Sequence, residues 1–204
     1  MINKNILLIK IINLLEKFYK SSISASHFGE HYEKIWRYLS KKNRFIHPVY
    51  DIHLFGELYL DYDAFRKKPS YENSNINEYE LKMRCIETVK AIITLEPSLK
   101  KYLDHPEILN KKFSILEMNK RLHKNGRILF LSKQITAKNK SILVVWITFD
   151  KNTRNYFASI EKWPIKLNKR DKYPKENDYG FNNLKSLFNY LNENKYIGVT
   201  QWVK

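Results

Sequence analysis

Two short apolar runs separated by a polar turn constrain this chain most. Arg127–Ser132 and Ser141–Phe149 are apolar and bounded by turn residues, and the second is β-branched at Ile142, Val144, Val145 and Ile147. Such side chains pack well on a pleated surface, so both runs read as strands. The connector Thr136–Lys140 is polar and short enough to close a hairpin. Basic residues stand at the edges. Arg127 opens the first run, Lys133 follows it, and Arg154 and Tyr156 come just after the second. Cations at the ends of a rigid strand pair are placed to hold a phosphate against a sheet.

Helices account for much of the remainder. Asn3–Tyr19 has helical spacing through Ile6, Ile9, Leu14 and Phe18, Ser21–Ser26 breaks it, and His27–Ser40 resumes it through Phe28, Tyr32, Ile35, Trp36 and Leu39. Pro48 ends or kinks that region. Asp51–Phe65 is mixed, and its pattern leaves strand and helix open. Arg66–Asn77 is polar, contains Pro69, Asn73 and Asn75, and reads as a linker. Glu78–Leu95 is the clearest helix, with Leu81, Cys85, Val89 and Ile92 on one face. Asn77 is placed to cap it, Glu80 is three residues on as a capping-box partner, and Pro97 stops it. Within the basic segment Lys100–Lys124, Phe113–Met118 is a candidate strand. Ala158–Asp178 is a charged excursion containing Pro164 and Pro174, and Tyr179–Leu191 is a closing helix with Leu184, Leu187, Phe188 and Leu191 as its buried face. The order predicts an α+β fold: a small antiparallel sheet with packed helices, preceded by a helical N-terminal extension. The expected division is a helical extension over 1–77 and an α+β domain over 78–204.

Composition narrows the partner. The 204 residues carry a net charge of +16 and a pI near 9.7. Such an excess favours a polyanionic partner, RNA or DNA before an anionic membrane. The abundance of Asn, Lys and Ile offers a purely compositional alternative. One cysteine, Cys85, excludes an internal disulfide and a cysteine zinc cage, and points to a reducing cytoplasm. Beside Met83 and Ile86 it reads as a small core residue. The apolar run Ile6–Leu15 is interrupted by Lys10 and followed by Glu16 and Lys17. An amphipathic helix fits it better than a signal peptide or a span of about 20 residues, and no membrane is expected.

Four histidines are candidate metal ligands. His27 and His31 share a helix face, and His47 and His53 follow, but there is no HExxH motif and no cysteine partner. Packing or surface roles suit them better, and no metal or other cofactor is assigned. The 14 tyrosines and 11 phenylalanines are interleaved with Leu and Ile, so most belong to a core. Tyr156 is the one whose position suggests more. No P-loop, GxGxxG or GxSxG occurs, which removes nucleotide-triphosphate, dinucleotide and esterase readings.

The segment from Trp146 through Asp150 to Arg154-Asn155-Tyr156, following a Gly126-Arg127 strand, resembles the C-terminal core of the YhaV family. These are RelE-like, ribosome-associated mRNA-cleaving toxins of toxin–antitoxin pairs. The closing helix and Trp202 would complete the likeness over the last third of the chain. The resemblance implies a metal-independent endoribonuclease that inhibits translation, with mRNA on the ribosome as substrate and an acidic antitoxin as partner. It would make Arg127 and Arg154 the stabilisers of charge on the phosphoryl oxygens and Tyr156 the residue that orients substrate. Lys120, Arg121 and Lys133 are the candidates for proton transfer, and the choice among them stays open. Lys111, Lys112, Lys120, Arg121 and Lys124 would contact RNA. Phe157 departs from the glycine that usually follows Arg-x-Tyr. The rival expectations are a non-catalytic nucleic-acid-binding module and a membrane-surface or secreted protein using the first helix. Convergence of Arg127, Arg154, Tyr156 and a lysine on one spot would separate the enzyme from the binding module.

Overall fold

The structure, a computed structural model, describes residues 4–40, 48–66, 76–125, 127–135, 140–165, 174 and 176–196. Residues 67–75 of the expected linker, the connector residues 136–139, residues 166–173 of the expected excursion, His47 and Trp202 lie outside them. The chain divides into two compact units, Met1–Leu109 and Asn110–Lys204.

The first unit is helical. Helix α1 spans Lys4–Tyr19 and α2 spans Ala25–Ser40. A π-helical segment over Val49–Gly56 runs into α3 at Glu57–Arg66, and α4 covers Glu78–Leu95. Short 3₁₀ turns follow at Pro97–Tyr102 and Pro106–Asn110. Helix α1 buries Leu8, Ile11, Ile12, Leu15 and Phe18 and packs chiefly on α4, whose Leu81, Cys85, Ile86, Val89 and Ile92 are fully buried. The apolar face that a membrane-surface role would have required is therefore spent in this core, with only Ile6 of α1 left as a large exposed apolar residue among those described.

The open choice over Asp51–Phe65 resolves to helix because Leu54, Leu58 and Tyr62 recur at every fourth residue and all are buried. The π-helical stretch, whose wider hydrogen-bond pattern is less regular, is held by Tyr32, whose hydroxyl donates to the Phe55 carbonyl at 2.9 Å. Asn77 caps α4 as its position suggests, accepting from the Glu80 N–H at 2.9 Å. Glu80 itself pairs instead with Arg84 at 2.9 Å, and Asp61 of α3 lies 3.9 Å from the same guanidinium. All three are buried. Helix α4 thus belongs to the first unit, and the structural division falls 32 residues beyond the expected one at 77/78.

The second unit is a four-stranded antiparallel meander with two helices. Helix α5 (Ile115–Asn125) precedes β1 (Arg127–Ile135), β2 (Lys140–Asp150), β3 (Asn155–Pro164) and β4 (Glu176–Phe181), and α6 (Leu184–Glu193) follows. The sheet order is β1-β2-β3-β4. Both helices pack on the face that carries Phe130 and Tyr156: Phe188 of α6 meets Phe130 edge-on at 6.3 Å, and His123 of α5 stacks at 3.8 Å on Phe149. The α+β class and the antiparallel sheet are as the sequence indicates.

Two element assignments need correction. Phe113–Met118 is not a strand. Ser114 caps a helix instead, its hydroxyl accepting from the Glu117 N–H at 3.1 Å, and Met118 and Leu122 are buried one turn apart. The charged excursion Ala158–Asp178 contains most of β3 and the start of β4. Tyr156, Ala158 and Ile160 of β3 alternate into the core, and its charges, Glu161 and Lys162, come only after them, toward the end of the strand. The closing helix starts at Leu184, five residues later than expected, but its buried face is the one read from the sequence.

Candidate interaction surface

The residues singled out in the sequence are distributed rather than gathered. On β1 Arg127 pairs with Thr148, and its guanidinium lies 5.3 Å from the Trp146 ring centroid. Lys133 is on the same face six residues further along the strand, a span of about 20 Å at the rise of a strand. Tyr156 faces the other side of the sheet. Its hydroxyl donates to Asn119 Oδ1 and meets His123 Nε2 at 3.0 Å, both on α5. Burial pushes the phenol above its ordinary value. A side chain held this way is a clamp between helix and sheet, with no free ring face for a base.

Arg154 is exposed and ends the β2–β3 turn in the left-handed region, with φ of 57°. Asp150 organises that turn. It accepts from the Asn152 N–H at 2.9 Å and from the Thr153 hydroxyl at 2.7 Å, and these bonds hold its carboxyl below the ordinary range. The α5 region separates the remaining cations. Arg121 is buried with its guanidinium 5.0 Å from the Phe113 ring centroid, Lys111 is half-buried, and Lys112, Lys120 and Lys124 are exposed. Arg127, Arg154 and Tyr156 therefore do not converge on one concave spot.

Charge is also unevenly shared. Twenty of the 37 basic residues but only seven of the 21 acidic ones lie in Asn110–Lys204, so that unit carries +13 of the net +16. The helical unit is close to balanced.

In the helical unit Ile6, Tyr79 and Tyr102 are exposed singly on separate elements, while the π-helical segment and α3 together expose two aliphatic residues. Ile52 is 38% exposed and Leu60 is 56% exposed. They are roughly two turns apart and project from one side. At the rim of this side Tyr59 stacks on Trp36 of α2, with ring centroids 6.0 Å apart and planes 25° from parallel. Exposed aliphatic side chains next to a half-buried aromatic pair make this side a candidate for a protein contact. The sequence reading missed this surface because Asp51–Phe65 could not be assigned to an element. Once the segment is helical, the signal is plain: Leu60 breaks the burial period of Leu54, Leu58 and Tyr62.

His27 and His31 stack on one face of α2 at 4.3 Å. Among the described residues no group of three or more metal-ligating side chains occurs. No helix among them is long and apolar enough to cross a membrane.

The helical unit thus carries a candidate contact surface on the π-helical segment and α3. Residues 7–92 match the family model for bacterial self-protective colicin-like immunity. The match covers less than half of the chain and lies wholly within the first unit. No curated protein and no solved structure matches. This similarity overturns the resemblance of the second unit to YhaV toxins. The likeness is to a protective family, so the toxin and endoribonuclease assignments, the RNA partner and the nucleic-acid-binding alternative lose their support. The geometry agrees, since the Arg-x-Tyr that leads into β3 is explained by a turn and a buried clamp.

Proposed function

We propose that the chain is an immunity protein that binds a colicin-like toxin protein and protects the cell that makes it. The similarity of residues 7–92 to the self-protective immunity family carries this reading. It is supported by the surface of Ile52, Tyr59, Leu60 and Trp36, which falls inside the matched region and has the chemistry of a binding hot spot. In this role the helical unit supplies a rigid, preformed patch. Neutralisation follows from occupying the toxin's surface, and requires no chemistry from the chain itself.

The test is survival of bacteria that express the chain and are challenged with a panel of colicin-like toxins, alongside native mass spectrometry of the chain mixed with each purified toxin. Protection and a stable complex are expected, and both should be lost in Leu60→Asp, whose exposed position leaves the fold intact. Equal killing with and without the chain, together with no complex, would refute the proposal.

A further inference from the structure

We infer that the solvent face of α5 is a second docking surface, and that its occupant is an acidic protein segment carrying an aliphatic anchor. It lies outside the region matched to the immunity family and does not depend on the immunity reading. Helix α5 buries Met118, Arg121 and Leu122. The opposite side is centred on Leu116, which is 63% exposed, with Ile115 beside it at 38%. Lys120 and Lys124 follow Leu116 at four-residue spacing, on the same stripe. Lys112 stands just before the helix. All three lysines are exposed, and none has a salt bridge among the described residues.

The face is rigidly presented. The Tyr156 hydroxyl joins Asn119 and His123 to β3, and the His123 ring packs on Phe149 at 3.8 Å. A preorganised face loses little freedom on binding. Its charge selects an acidic partner, in keeping with the strongly basic unit around it.

The aliphatic centre distinguishes protein from nucleic acid. A phosphate backbone gains nothing from an exposed leucine, and single-stranded RNA is held by aromatic platforms. The aromatics near this face are engaged: Phe149 lies under His123 and Tyr156 is buried. An exposed leucine followed by two lysines on its own stripe instead matches an acidic helix or loop that sets an apolar side chain beside its carboxylates.

The experiment uses the full chain and three labelled probes: a helical peptide with leucine flanked by glutamates, the same peptide with leucine replaced by serine, and a single-stranded oligoribonucleotide of equal charge. Binding is read by fluorescence anisotropy for wild type, Leu116→Ser and the double variant Lys120→Glu, Lys124→Glu. The leucine peptide should bind wild type and lose about tenfold in affinity with Leu116→Ser, with the double variant, and when its own leucine is replaced. No binding of the leucine peptide, or equal affinity for wild type and Leu116→Ser, would overturn the inference. So would tighter binding of the oligoribonucleotide that is lost in the lysine variant and indifferent to Leu116. Far-UV circular dichroism confirms that each variant is folded.

Discussion

Gly29 in α2 is a point at which the helical unit has no room for an added atom. A Cβ placed there would fall 1.6 Å from Tyr62 Cζ and 2.1 Å from both Cε2 and the hydroxyl oxygen. Carbon atoms rest at about 3.5–4.0 Å, so the ring must move by roughly 2 Å. It has little room, being 7% exposed and edge-on to Phe28 at 6.1 Å. A buried tyrosine removes about 150–250 Å² from water, so complete expulsion would cost about 4–6 kcal/mol. Partial displacement costs about 1–3 kcal/mol. Alanine returns about 1 kcal/mol through its better helix propensity. Gly29→Ala should therefore destabilise by about 1 kcal/mol. Tyr62→Ala costs about 3–5 kcal/mol by itself but opens the space. Introducing Gly29→Ala into that background should then stabilise by about 1 kcal/mol, a coupling of about 2 kcal/mol. Urea unfolding followed by circular dichroism measures the cycle. Hydrogen exchange should place the loosening in α2 and α3 and leave the sheet amides unchanged. A neutral Gly29→Ala, or one equally costly in the Tyr62→Ala background, would refute the close approach.

Three further outcomes follow from local geometry. Arg154→Gly should stabilise the sheet unit by about 1 kcal/mol, because glycine adopts the left-handed φ of 57° without a Cβ clash; an unchanged urea midpoint would contradict this. Burial lifts the Glu16 carboxyl above its ordinary 4.5 despite the opposing backbone N–H bonds from His105 and Asp104. The folded state then keeps that proton to higher pH than the unfolded chain, so stability falls as pH rises from about 4.5, and Glu16→Gln should flatten that fall in thermal melts across the window. Tyr156→Phe removes the hydroxyl shared by Asn119 and His123 and should cost about 1 kcal/mol. Its mark in hydrogen exchange should be faster exchange in α5 with β3 little changed.

Much of the fold is legible wherever one periodicity acts alone. The buried face of α6, the cap of α4 and the β1–β2 pair all come from patterns that nothing nearby disturbs. Errors arise where a short apolar run fits two periods. Ile115, Leu116 and Met118 look like a strand because three apolar residues crowd into four positions, yet two of them are exposed. The deciding signal is local: Ser114 and Glu117 form the start of a helix. In β3, charge hides alternation, since Glu161 and Lys162 draw attention away from Tyr156, Ala158 and Ile160.

The functional expectation failed for a related reason. An arginine, one intervening residue and a tyrosine after a β-branched strand is a pattern that a hairpin can generate with no active site. Asp150 fixes the turn, Arg154 takes its left-handed position, and Asn155 re-enters the sheet opposite Asp150. Tyr156 must then point to the face that pairs it with Phe149, which here is the face covered by α5. Arg127, one pairing row away, points to the opposite face by the same pleat. Spacing along the chain thus places these residues near one another while the parity of the strands keeps them apart. The surface of Ile52 and Leu60 shows the converse: two aliphatic residues with no motif between them project from one side once the segment is helical. Parity and helical phase, more than residue identity, decide which groups a partner can meet.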